Sequence, residues 1–161
     1  MKKLFFASAL ALSVAACSNS ALIVEMPNSS DYRTSNALVV AGQSAVEIDE
    51  DNTEYTERKM RQAFFEGDAP IFVEGDGITA KYRYVAFDEG SQALRYLAGP
   101  IAGGSKVLLE VEFIGPEGKT LAVVRGEGSV SGGFFGGSNK SGIDKAIDKI
   151  AAYAEKEFKA Q

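Results

Sequence analysis

The stretch from Val107 to Ser131 constrains the fold most. Val107, Leu109, Val111 and Phe113 alternate with Leu108, Glu110, Glu112 and Ile114. That period of two describes a strand with one covered face and one more polar face. Gly115-Pro116-Glu117-Gly118 follows, with proline pre-setting the second position of a turn. The return strand runs from Thr120 to about Ser131 and places Ala122, Val124, Gly126, Gly128 and Val130 on one face. Gly126 and Gly128 carry no side chain, so that face must accept a close neighbour; an aromatic from an adjoining strand or helix is the expected one. A hairpin with one apolar face needs a second layer to cover it.

The final segment supplies that layer. Ser141 is placed to cap a helix, with Asp144 three residues on. Ile143, Ile147, Ile150, Ala151, Ala154 and Phe158 then form one helical stripe, opposite Lys145, Asp148, Lys149, Glu155 and Lys156. A second helix is predicted over about residues 53–65. Met60, Ala63 and Phe64 share its buried face, and Glu54–Arg58 and Glu57–Arg61 are spaced to pair on its exposed one. Gly67 and Pro70 end it. The acidic run before this helix invites comparison with a calcium loop. Asp49 and Asp51 have the spacing, but Thr53 and Glu54 stand where a third oxygen ligand and a glycine are needed. Capping by Asp51 with Glu54 reaching back fits better, and no metal site is expected.

Further strands are expected at Ala37 to Ile48, bent at Gly42, at Ile71 to Val73, and at Ile78 to Asp88. In the last, Ile78, Ala80, Tyr82, Tyr84 and Ala86 share one face, and Thr79, Lys81, Arg83, Val85 and Phe87 the other. The resulting fold class is α+β: an antiparallel sheet of four to five strands, with two helices (about 53–65 and 141–158) packed on one face.

Composition narrows the chemistry. There is no histidine and one cysteine, Cys17. Histidine-based general base catalysis, Ser-His-Asp and Cys-His arrangements, disulfides and Cys/His zinc sites are therefore ruled out. The net charge of −5, with no basic stripe, makes a poor nucleic-acid binder. Gly132 and Gly137 have the first spacing of a phosphate-binding loop, but Ser138-Asn139 occupy the places of Lys and Ser/Thr. No nucleotide, no cofactor, no catalytic residue and no enzymatic activity are expected.

The chain begins with Lys2 and Lys3, an apolar run from Leu4 to Leu12, and Val14-Ala15-Ala16-Cys17. The apolar run has secretory length and is too short to span a bilayer. Val-Ala-Ala-Cys resembles the bacterial lipoprotein lipobox. The resemblance implies cleavage after Ala16, an S-diacylglyceryl group and an N-acyl group on Cys17, and, with Ser18 following, residence on the periplasmic face of the outer membrane. Two or more acyl chains anchor stably where one does not. The expected organisation is a cleaved signal peptide over 1–16, a lipidated N-terminus and tether over 17–36, with Ala21 to Val24 composed like a short edge strand, and one α+β domain over 37–161.

Two glycine-rich stretches resist assignment to regular structure. Gln92 to Gly104 carries Gly99, Pro100, Gly103 and Gly104, and Gly132 to Gly137 holds Phe134-Phe135 between glycine pairs. Phe87-Asp88-Glu89-Gly90-Ser91, Leu94-Arg95-Tyr96-Leu97, Gly99, Gly103-Gly104, the Val107–Phe113 strand, Gly118-Lys119-Thr120-Leu121 and Gly132 to Gly137 together resemble the Domain of Unknown Function 4410 family. Its members are bacterial lipoproteins without an assigned activity. The same segment order is similar, at the level of topology, to the curli secretion lipoprotein family, where the glycine segment contributes to an outer-membrane pore. The expectation is a non-enzymatic envelope lipoprotein, anchored to the membrane through acylated Cys17. It would present Arg95, Tyr96, Phe134 and Phe135 to an envelope protein partner or to a second copy. The alternative is an oligomeric pore or assembly component in which residues 93–104 enter the bilayer.

Overall fold

The computed structural model describes residues 20–87, 105–130 and 139–160. In chain order the elements are β1 (Ser20–Met26), β2 (Asn36–Ala41), α1 (Glu50–Phe65), β3 (Val73–Glu74), β4 (Ile78–Phe87), β5 (Ser105–Ile114), β6 (Thr120–Val130) and α2 (Asn139–Phe158). The strands form one sheet in the order β1-β6-β5-β4-β2-β3. The β5–β6 hairpin lies inside it and closes as its sequence predicts. Gly118 donates to the Gly115 carbonyl at 2.9 Å and takes φ +75°, a conformation open to glycine.

The sheet is α+β as expected, but it has six strands and is mixed. β1, β6, β5 and β4 pair antiparallel, while β4–β2 and β2–β3 are parallel. The reason is α1. Parallel neighbours need a long crossover, and β2-α1-β4 supplies one. Both helices begin earlier than their sequence boundaries, at Glu50 and Asn139. Asp49, not Asp51, caps α1: its carboxylate accepts from the Asn52 backbone at 2.9 Å and from the Asn52 amide at 2.6 Å. Those bonds hold the Asp49 carboxyl below its ordinary range.

Both helices lie on the sheet face defined by Ile78, Ala80, Tyr82 and Tyr84 of β4, Val107, Leu109, Val111 and Phe113 of β5, and Ala122 and Val124 of β6. With Ile143, Ile147, Ile150 and Phe158 of α2 and Met60 and Phe64 of α1, these residues form one buried cluster. Each large side chain so covered contributes about 1.5–3 kcal/mol. Gly126 and Gly128 lie on this face too. Their close neighbour is not an aromatic but the α2 backbone itself. A Cβ on Gly126 would stand 2.3 Å from the Ala146 carbonyl oxygen, and one on Gly128 1.8 Å from that of Gly142.

The far end of β4 departs from simple alternation. The pairing with β5 slips between Tyr84 and Ala86, so Ala86 faces Leu108 and Phe87 faces Val107. Phe87 thereby joins the helix-covered face, edge-on to Tyr84 at 5.4 Å. Ala86 and Leu108 form a small second cluster on the opposite face. The expectation that Ala86 shares a face with Tyr84 is overturned by this bulge, since one extra residue reverses every side chain beyond it.

The N-terminal stretch read as a tether is built into the domain from Ser20 onward. β1 lies along β6 from Ser20 opposite Gly128 to Met26 opposite Val123. The connection from β1 to β2 then crosses the C-terminal end of α2. Asn28 donates to the Tyr153 hydroxyl at 3.1 Å, Thr34 to the Phe158 carbonyl at 2.9 Å, and Ala160 to the Thr34 carbonyl at 3.0 Å.

Candidate functional site

None of the residues singled out from the sequence falls among those described: Cys17, Arg95, Tyr96, Phe134 and Phe135 all lie outside them. What the structure fixes is their setting. Strand directions follow from the pairing: β1 begins at the end of the sheet where β4 and β6 finish and β5 starts. Ser20, Phe87, Ser105 and Val130 therefore mark one pole of the domain. Ser20 follows Cys17 by three residues, and the other three bracket the two glycine-rich segments.

The sheet face away from the helices carries an ordered row of charge. Arg83, Glu110 and Arg125 stand opposite one another across β4, β5 and β6. Arg83 Nε reaches Glu110 Oε1 at 2.7 Å, Arg125 Nε reaches Glu110 Oε2 at 2.8 Å, and Arg125 Nη1 reaches Glu25 Oε1 of the edge strand at 2.8 Å. Glu110 is 7% exposed. Burial alone would raise its carboxyl, but the bonds from Arg125 and Arg83 outweigh that and hold it below its ordinary value. Beside the row, Gln43, Lys81, Arg83, Glu110, Glu112 and Val123 line a hollow of about 440 Å³. Lys81 faces Glu112 across the strands, and Glu112 accepts from the Thr120 hydroxyl at 2.5 Å. A carboxylate stabilised by two guanidiniums stays ionised at neutral pH, which suits a structural clamp and not proton transfer. Only the strand register lines these charges up, so no local motif announces them.

The helix layer has its own polar joint. The Tyr55 hydroxyl of α1 donates to the Asp144 carboxylate of α2 at 2.9 and 3.0 Å. Arg58, Lys59 and Lys140 surround its ring at 5.2, 5.6 and 5.2 Å. Burial, then the bond to Asp144, pushes the phenol up to about 12. Beneath α1, Thr56 and Tyr84 share a short hydroxyl–hydroxyl bond. The buried Tyr82 hydroxyl has no hydrogen-bond partner among the described residues. Burial pushes the Tyr82 and Tyr84 phenols up to about 12. Arg61, expected to pair with Glu57, instead makes a two-pronged pair with Glu74 of β3 at 2.6 and 2.8 Å. Among the described residues no group of three or more acidic side chains is arranged to hold a metal ion. Among them, too, no helix is long and apolar enough to cross a membrane.

The large apolar side chains left exposed among the described residues are Ile23, Val24 and Met26 of β1, Val40 of β2 and Val73 of β3. All five sit on the outer strands at the two edges of the sheet.

No family model matches the chain, and no curated protein matches it. Solved structures do. A single-substitution variant of the PelC dodecamer from Paraburkholderia phytofirmans superposes with a TM-score of 0.56 at 11% identity, covering 84% of this chain and 97% of that one. A second crystal form of the PelC dodecamer from the same organism gives a TM-score of 0.53 at 11% identity, covering 88% and 99%. At that identity the likeness shows a shared fold, over nearly the whole length of the solved chains.

Proposed function

We propose that this chain is a non-enzymatic lipoprotein of the bacterial envelope. It is anchored by acylated Cys17 to the periplasmic face of the outer membrane, and it works through assembly with copies of itself or with an envelope protein. The observation that carries the assembly reading is the fold shared with PelC, which is solved as a dodecamer. The lipobox-like Val-Ala-Ala-Cys and the resemblance to the Domain of Unknown Function 4410 lipoproteins support the anchor. So does the short link to the sheet: Ser20 stands three residues after Cys17. An extended chain spans at most about 3.3–3.6 Å per residue, so the start of β1 lies within about 10 Å of the acylated cysteine. The domain sits on the bilayer, with the pole of Ser20, Phe87, Ser105 and Val130 toward the lipid.

In this placement Phe87 and Ser105, which flank residues 90–104, and Val130, which precedes residues 132–137, stand at the membrane-facing pole. Arg95, Tyr96, Phe134 and Phe135 are then candidates for contact with a partner there. The pore reading, in which residues 93–104 enter the bilayer of an oligomer, draws on the same placement of Phe87 and Ser105.

Metabolic labelling with a radioactive fatty acid tests the anchor. Label should enter the wild-type chain and vanish in Cys17→Ala, and globomycin should leave an unprocessed precursor. An unlabelled wild-type chain, or membrane residence unchanged in Cys17→Ala, would overturn it. Native electrophoresis of gently solubilised membranes tests assembly: a species several times the monomer mass is expected, and a monomer alone would refute it. Capture of the same partner set by wild type and by Phe134→Ser/Phe135→Ser would remove the loop from the account.

A further inference from the structure

Resting on the assembly reading, we infer that the two edges of the sheet are the contact surfaces: β1 of one copy pairs antiparallel with the open edge of β2 in the next, head to tail. Four observations converge. Among the described residues, β1 is an edge strand of seven residues whose strand partner is β6. At the opposite edge β3 covers Asn36 and Ala37, and among the described residues no strand lies beyond Leu38 to Ala41 of β2. An uncovered edge presents backbone donors and acceptors ready to take another strand.

Among the described residues the exposed large apolar side chains are confined to these two edges. Val24 is 42% exposed and Val73 63% exposed, with Ile23, Met26 and Val40 beside them. The usual safeguards of an edge are sparse on β1. It has no lysine and no proline, and its one charge, Glu25, is bound to Arg125. Its bulge falls between Val24 and Met26, leaving Ser20 to Val24 in regular register with β6.

Strand direction supplies the polarity. β1 is antiparallel to β6, β6 to β5, and β5 to β4, while β2 and β3 are parallel to β4. β1 therefore runs opposite to β2. When copies stand side by side with the same pole down, β1 of one meets β2 of the next in the antiparallel sense. A repeated contact between two different patches is heterologous, and it closes into a ring when the rotation per copy permits.

The anchor discriminates against the symmetric alternative. Two copies joined β1 to β1 would place their Ser20 residues at opposite ends of a seven-residue strand, about 20 Å apart along it. That is about twice the reach of the link to Cys17. Head-to-tail pairing leaves every Ser20 at one pole, facing one bilayer.

Paired cysteines in the full-length, membrane-resident chain test this, because Cys17 is acylated and the introduced thiols are then the only free ones. Val24→Cys combined with Val39→Cys on the helix-covered face, or Ile23→Cys with Leu38→Cys on the open face, should yield on mild oxidation a non-reducing ladder from dimer upward. Each single substitution should stay monomeric. Dimer from Val24→Cys alone would replace the proposal with symmetric edge pairing. Absence of cross-links in every pair, with the native assembly intact, would overturn the edges as contacts while sparing the assembly reading. A wild-type chain that is monomeric on native electrophoresis would refute the assembly reading itself. As a second readout, Ile23→Lys should shift the assembly to monomer while the melting midpoint of the solubilised protein moves by no more than about 2 °C. A native assembly unaffected by Ile23→Lys would count against β1.

Discussion

Gly128→Ala should be among the most costly single-methyl changes the domain can receive. The new Cβ would lie 1.8 Å from the Gly142 carbonyl oxygen, 2.7 Å from its carbon and 3.0 Å from its Cα. Side-chain carbons essentially never approach closer than 3.0 Å, so α2 must withdraw by at least about 1 Å at that point. The atoms in the way are backbone, which no rotamer change can clear. Retreat of α2 opens the contacts of Ile143, Ala146 and Ile147, all buried against the sheet. A gap of about 0.5–1 Å forfeits a quarter to a half of each dispersion contact. With two isoleucines each contributing about 1.5–3 kcal/mol, the loss comes to about 1–3 kcal/mol, the range of overpacking costs. For a domain of this size that lowers the melting midpoint by about 3–10 °C. Urea unfolding followed by far-ultraviolet circular dichroism, on the Cys17→Ser chain without residues 1–16, measures it. Gly75→Ala is the control, because its Cβ would meet only the end of the Asn36 side chain, at 3.1 Å. If the two variants unfold within about 1 kcal/mol of each other, the close helix–sheet approach is not what those glycines serve.

Glu110→Gln should destabilise the domain by about 1–2 kcal/mol at neutral pH, less than a fully buried clamp because Arg83 and Arg125 are partly exposed. It should also alter the acid response. The folded-state carboxyl of Glu110 lies below its ordinary 4.5, so its stabilisation is present above the unfolded value and is lost as pH falls through the folded one. Unfolding midpoints from pH 7 down to 3 should therefore fall less steeply in Glu110→Gln than in wild type, and equal slopes would refute the clamp. Tyr55→Phe removes the hydroxyl bond from α1 to Asp144 and should cost about 1 kcal/mol, read as a lower urea midpoint with an unchanged slope. Phe87→Ala should cost about 2 kcal/mol because the bulge turns that ring into the core beside Tyr84; a change within experimental error would place Phe87 on the open face, as simple alternation from Ile78 requires.

Much of this architecture was legible before any coordinates. The hairpin was written in its alternation and its Gly-Pro-Glu-Gly turn, and the stripe from Ile143 to Phe158 is buried along its length. A close neighbour over Gly126 and Gly128 was also legible, though not that it is helix backbone. Other features depend on partners far along the chain. The slip at Val85 arises from how β4 sits on β5, and nothing in Tyr84-Val85-Ala86-Phe87 marks it. The cap moved from Asp51 to Asp49 because Asn52 offers both a backbone and a side-chain donor to the earlier carboxylate. The parallel place of β2 was implicit in the strand–helix–strand order, since a helical crossover is what parallel neighbours require.

The sequence by itself determined the periodicities: which residues face a core, where the turns fall, and which chemistries are excluded by a chain without histidine and with one cysteine at its lipobox-like leader. These are properties of residue type and spacing, and they survive without knowledge of neighbours. Tertiary structure alone decided which strands meet. It brought Arg83, Glu110 and Arg125 into one row, sewed Ser20 to Met26 into the sheet where a tether was expected, and left Ile23, Val24, Met26, Val40 and Val73 on its two open edges. Register and strand order are set by contacts between segments remote in sequence, so an edge, unlike a strand, exists only once the whole sheet has formed.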